Sequence, residues 1–150
     1  MIKHDQDFRI GFKPQSTIKR ILPTPYAKTP TLQQHGIIYQ FNCNDCNGCY
    51  IGQTGQKLES RLKQHHNDHK SKKLRPNNTA AFYYTKNTGH TFDLDNTKII
   101  GTEKHLQKRL ILEPIFINKN KTTSINLKSD IDTLNPPYSN LIQTLNRNAI

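Results

Sequence analysis

Tryptophan is absent from the sequence, methionine occurs once, and acidic residues number 11 against 22 lysines and arginines. Only 33% of the 150 residues are hydrophobic. That amount supports one buried core of roughly 90 to 100 residues, not two. No apolar run approaches the roughly 20 residues of a membrane-spanning helix, so none is expected. Charged residues run through Met1–Arg20 without an apolar stretch, so a secretory signal is not expected there either. The three cysteines are an odd number and crowd together at Cys43, Cys46 and Cys49. A secreted disulfide framework would spread and pair them, so reduced thiols in the cytosol or nucleus are the expected state.

What is present is positive charge. The formal net charge is +11, which suits a partner carrying phosphates. Residues 1–34 read as a basic arm broken by Pro14, Pro23, Pro25 and Pro30, with a short helix around Ser16–Leu22. From residue 35 to residue 128 the texture is that of a folded domain, and residues 129–150 read as a tail. Gly36–Phe41 is β-branched and aromatic, Asn42–Gly48 is a turn, and Cys49–Gly52 is a second strand, together an antiparallel hairpin. Thr54 is positioned to cap a helix after Gly55, with Leu58, Leu62, His65 and His69 at helical spacing. A second helix is expected over Thr79–Asn87, ended by Gly89, and a third strand over Thr97–Gly101. A last helix follows over Glu103–Ile117, with Leu106, Leu110 and Ile117 on one stripe. The fold class is therefore α/β, a small three-stranded antiparallel sheet flanked by helices. Its core should bury Ile38, Ile51, Leu58, Leu62, Leu110 and Ile117.

The half-motifs Gly36-Ile37-Ile38-Tyr39 and Tyr50-Ile51-Gly52, joined by a hairpin turn, resemble the signature of GIY-YIG nucleases. Leu58, Arg61, Leu62 and His65 resemble that family's first helix. Glu113 matches its metal-binding carboxylate and Asn126 its late asparagine. A narrower resemblance, to the endonuclease domain of Penelope-like retroelements, rests on three features. They are the Cys43-x-x-Cys46 insertion, the string Tyr50-Ile51-Gly52-Gln53-Thr54-Gly55, and Thr88-Gly89-His90. In those elements the domain follows a reverse transcriptase, so such a partner domain is implied and the chain resembles a terminal fragment or a stand-alone derivative.

The resemblance implies a DNA endonuclease that hydrolyses phosphodiesters with Mg²⁺ or Mn²⁺ held by Glu113. It implies that Tyr39 and Tyr50 face the scissile phosphate, one of them orienting or deprotonating water. The chemistry fits the residues. Hydrolysis needs an activated water, neutralised phosphate charge and help for the leaving oxygen. Arg61 and His65, four apart, share a helix face and can clamp a phosphate. A carboxylate on an apolar stripe, as Glu113 is, calls for a partner or a metal, and hard oxygen donors suit Mg²⁺ or Mn²⁺. Lys57, Arg61 and Lys63 are the expected nucleic-acid contacts. Tyr39, Tyr50, Arg61, His65, Glu113 and Asn126 should therefore surround one exposed concavity.

Two departures stand out. Pro114 follows Glu113 directly, and proline disfavours helical geometry in the residue before it, so a kink is expected there. Tyr84 stands where the related retroelement domains have a histidine, six positions before the match to His90. Both features favour an alternative, an inactive nucleic-acid-binding fragment. Cys43-x-x-Cys46 is half a zinc knuckle by spacing, and His90 is the third ligand implied by the resemblance. His69, His66 and Cys49 are the candidates for the fourth, although strand alternation places Cys49 opposite Tyr50, as a core thiol.

Overall fold

The computed structural model describes residues 29–71, 73–75 and 78–132. The short helix expected at Ser16–Leu22 and most of both expected tails lie outside these residues. Strand β1 (Ile37–Asn42) is central, pairing antiparallel with β2 (Cys49–Thr54) on one side and β3 (Lys98–Thr102) on the other. The helices are α1 (Leu58–Lys70), α2 (Ala80–Thr88), α3 (Leu106–Lys119) and a short α4 (Lys128–Asp132). This is the expected α/β architecture.

Alternation along the strands divides the core in two. In the β1–β2 register Phe41 faces Tyr50 and Tyr39 faces Gly52. Ile37, Tyr39, Phe41 and Tyr50 gather with Leu58 of α1 and Ala80 and Ala81 of α2 on one side of the sheet. Ile38, Ile51 and Ile117 of α3 form the cluster on the other. A central strand covered on both faces needs the near-continuous apolar run that β1 carries. Each fully buried isoleucine contributes about 2 kcal/mol.

Three expectations need correction. Thr54 does not cap α1. The helix begins only at Leu58, with Lys57 at the N-cap, and the Thr54 hydroxyl instead accepts the Gln56 N–H at 3.0 Å in a tight turn. Leu62 is only half-buried, and Leu110, at 41% exposed, faces solvent with Leu106. The face that α3 buries carries Arg109, Pro114 and Ile117, so the stripe is displaced from the expected one. Finally, residues 31–34 of the expected arm belong to the domain. A single 3-10 turn, Thr31–Gln33, lies against α1, where Gln33 Nε2 donates to Glu59 Oε2 at 3.2 Å.

The feature that positions the site is the outer edge of β2. An edge strand leaves alternate amides without a ladder partner. Here Cys49 N–H donates to Thr123 O at 2.8 Å and Ile125 N–H to Cys49 O at 2.9 Å. Further along, side chains take over. Asn126 brackets Ile51, its Oδ1 accepting the Ile51 N–H at 3.0 Å and its Nδ2 donating to the Ile51 carbonyl at 2.8 Å. The Gln53 N–H then donates to Glu113 Oε1 at 3.1 Å.

Candidate active site

Three of the expected site residues are joined by hydrogen bonds. The Tyr39 hydroxyl lies 2.8 Å from His65 Nε2 and accepts the Arg61 Nε–H at 3.1 Å. Both partners come from one face of α1, one turn apart. The Tyr39–His65 bond runs from the hydroxyl to Nε2 or from Nε2–H to the hydroxyl oxygen, according to the imidazole tautomer. Tyr50 packs beside them, its ring centroid 6.4 Å from Tyr39 and 5.5 Å from His65. Gly52 is required by this packing. A Cβ there would come within 2.7 Å of the Tyr39 hydroxyl oxygen and 2.9 Å of the Tyr50 ring.

Glu113 and Asn126 arrive at the same β2 edge. Despite Pro114, α3 runs unbroken from Leu106 to Lys119, and Pro114 itself is buried. The missing amide of a proline costs one helical bond but does not end the helix here. Glu113 thus keeps its place one turn before Ile117. Asn126 is held by the Ile51 backbone, by Ser124 Oγ at 2.9 Å and by Asp130 Oδ2 at 3.3 Å. Its amide is therefore engaged in covering the edge of β2.

The group does not open onto one concavity. Tyr39 is 0% exposed, His65 1% and Tyr50 6%. Arg61, Glu113 and Asn126 are the half-buried members that reach solvent. Lys57 and Lys63 are exposed, Lys63 in an ion pair with Glu59 at 2.6 Å.

Burial sets the electrostatics. It raises the Tyr39 hydroxyl to about 12 against the pull of the Arg61 guanidinium, and raises Tyr50 well above its ordinary value. Burial, with Arg61 and His69 nearby, lowers His65 to about 3. The imidazole and the phenol are therefore both neutral. Glu113 rises to about 7, chiefly through burial and then through the charge of Asp130, while the Gln53 amide and Arg61 pull the other way.

Two supporting residues were not singled out from the sequence. Arg109 is buried, donating from Nε to Gln53 Oε1 at 2.6 Å and from Nη1 to the carbonyls of Glu103 and Lys104. It holds the side chain of the residue whose amide holds Glu113. Asp130 is the second carboxylate near Glu113. An arginine four positions before Glu113 was the available signal for the first.

A second cluster lies in the turn between β1 and β2. The ligand atoms of Cys43, Cys46 and His90 all lie within 4.8 Å of one another, with Cys43 Sγ 3.5 Å from His90 Nδ1. Asp45 N–H and Gly48 N–H point at the sulfurs of Cys43 and Cys46, at 3.4 and 3.3 Å. The Tyr84 hydroxyl first, then the Gly48 N–H and the Cys43 thiol, bring the Cys46 thiol down to about 7. Two thiols and an imidazole are the donor set of a soft or borderline ion such as zinc. Of the proposed fourth ligands, Cys49 is buried against Thr123 Oγ1 at 3.6 Å, and His69 packs on Phe92. His66 lines a groove with Leu62 and Leu94.

Sheet, edge and buried tyrosine–histidine pair are those of a nuclease-type α/β domain. Residues 35–126 match the GIY-YIG catalytic domain, and the chain belongs to that family. Membership makes it a domain of endonuclease type, for which DNA is the class of substrate. No curated protein and no solved structure matches the chain. Among the described residues no helix is long and apolar enough to cross a membrane.

Proposed function

We propose that this domain is a divalent-metal-dependent DNA endonuclease of the kind found in Penelope-like retroelements, acting inside the cell beside a reverse transcriptase. The observation that carries the catalytic reading is that Glu113, held at the edge of β2 by the Gln53 amide, lies within electrostatic reach of the hydrogen-bonded Tyr39–Arg61–His65 group. Hard Mg²⁺ or Mn²⁺ fits a half-buried carboxylate whose Oε1 already accepts one amide and which keeps lone pairs for an ion. When bound, such an ion supplies charge for the phosphate oxygens and acidifies water.

The chain's own residues do the rest. Glu113 must be ionised to hold the ion, which a value of about 7 allows at neutral pH and above. Arg61 is half-buried and keeps donors free for a phosphate oxygen while its Nε holds Tyr39. With the phenol near 12 and the imidazole near 3, Tyr39 serves to orient and to donate, not as a resident base. His65 holds that hydroxyl in place. Lys57 and Lys63 add charge along α1 for the backbone of the nucleic acid. Cys43, Cys46 and His90 hold a structural zinc that ties the hairpin turn to the segment after α2.

The test is nicking of supercoiled plasmid with Mg²⁺ or Mn²⁺ and its loss with chelator. The burial of Tyr39 and Tyr50 favours a second reading, a fragment that binds nucleic acid without cutting it. Binding without metal-dependent nicking would establish that reading and overturn the first.

A further inference from the structure

The Cys43–Cys46–His90 group offers three donors, and a closed structural zinc site needs four. The fourth corner is not empty of donors. Tyr84 Oη lies 3.3 Å from Cys46 Sγ, and the Tyr84 ring meets the His90 ring edge-on at 5.5 Å between centroids. Tyr84 projects from the middle of α2, and His90 follows the left-handed Gly89 that ends it. Thr88 ties the two together, its Oγ1 donating to the Tyr84 carbonyl at 2.7 Å and accepting the His90 N–H at 3.2 Å. The β1–β2 turn thus contributes two donors, and α2 with the residue after its cap contributes two more.

The distances match a shared coordination shell. With Zn–S of about 2.3 Å and Zn–N or Zn–O of about 2.0 to 2.2 Å, a tetrahedron has sulfur-to-nitrogen and sulfur-to-oxygen edges of about 3.5 Å. The separations here are 3.5 Å for Cys43 Sγ to His90 Nδ1 and 3.3 Å for Cys46 Sγ to Tyr84 Oη. We infer that Tyr84 supplies the fourth ligand, through its phenolic oxygen, making a Cys₂–His–Tyr centre. This rests on the zinc reading of the three-residue group. On metal uptake the phenol releases its proton to solvent, and the hydrogen bond to Cys46 gives way to a shared ion. Phe92 closes the other side of the Tyr84 ring at 6.0 Å, and Cys43 pairs in a β-bridge with Phe92, so the ring is held toward the cluster. Neither Cys49, which faces Thr123, nor His69, whose ring lies on Phe92, joins the three donors within 4.8 Å.

The test is titration of the full chain, kept reduced, with Zn²⁺ and with Co²⁺. One equivalent of Co²⁺ should bring a thiolate charge-transfer band, and either ion should bring a tyrosinate difference band in the ultraviolet. Tyr84→Phe should abolish the tyrosinate band, keep the thiolate band and weaken Zn²⁺ binding roughly 10- to 100-fold, the size of effect seen when a group supporting a metal is lost. Tyr84→His should lose the tyrosinate band and bind Zn²⁺ at least as tightly as the parent. A parent that shows the thiolate band without the tyrosinate band, with Tyr84→Phe binding Zn²⁺ equally well, overturns the role of Tyr84 and leaves the three-residue centre standing. A parent that takes up neither ion overturns the centre itself and the Tyr84 assignment with it.

Discussion

The two ends of the β1–β2 hairpin hold different kinds of site. At the turn, Cys43 and Cys46 sit three residues apart in a loop, and soft donors meet at the surface with help from nearby amides. At the open end, Glu113 and Asn126 come from segments about 60 to 75 positions away and bond the outer edge of β2, while Tyr39 and His65 pair in the core beside it. The first site takes two donors from the turn and its third from His90, just past the end of α2, so it needs only the hairpin and α2 in place. The second exists only when α1, α3 and the segment after α3 are all docked. A site built from two elements suits a staple, and one built from several suits chemistry that must wait for complete folding.

The largest expected effect tests that contrast directly. Glu113→Ala should lower metal-dependent nicking on the order of 10³-fold, because the ion's contribution of several kcal/mol to the barrier is lost. DNA binding, which rests on many lysines and arginines, should stay near the parent value in a mobility-shift assay. Zn²⁺ uptake should not change. A nicking rate equal to the parent's would remove Glu113 from the mechanism. Arg61→Ala should follow with a loss of about 10²-fold in turnover, the scale for removing one charged donor at a reacting oxygen. Its effect on binding should be modest and visible mainly as a shallower salt dependence. Equal losses in binding and turnover would make Arg61 an affinity residue only.

Much of this was legible in the sequence, and the failures have physical reasons. The hairpin, the end of α2 and the third strand follow from β-branched runs and from Gly89 at a helix end. The phase of α3 was not legible. Leu106 and Leu110 look like core residues, yet Arg109 takes the buried place, because a guanidinium there can reach Gln53 and two carbonyls. Hydrophobic spacing cannot anticipate a buried charge whose partners are backbone oxygens. The expected open cleft failed for a related reason. Residue types reveal which groups carry chemistry, but not that Tyr39 and His65 satisfy one another and pack inward.

Smaller effects sharpen the comparison through stability. Asn126→Ala should cost about 2 kcal/mol in denaturant unfolding, since it leaves the edge amide and carbonyl of Ile51 without partners. A loss within error would mean that water replaces the asparagine. The smallest signals are in the pH dependence, where the two buried groups act with opposite sign. His65 is lowered to about 3, so between about 3 and its ordinary 6.5 the unfolded chain binds more protons, and stability is lost as pH falls through that window. Glu113 is raised to about 7, so between its ordinary 4.5 and about 7 the folded chain binds more protons, and stability is lost as pH rises. In metal-free protein, His65→Gln should remove the acid-side loss and Glu113→Gln the loss toward neutral pH. Unchanged slopes of unfolding free energy against pH in both variants would show that neither group is buried in solution as it is here.

Covering a strand with side chains in place of another strand also carries a hazard. Ile51 and Gln53 keep their outward amides quiet only through Asn126 and Glu113, two residues that any study of catalysis will want to replace. Once the caps are gone, β2 offers a bare ladder to a second molecule, the starting point for strand addition and aggregation. Self-association of such variants is then a symptom of an uncovered edge, distinct from the loss of a reacting group, and the two can be told apart by concentration.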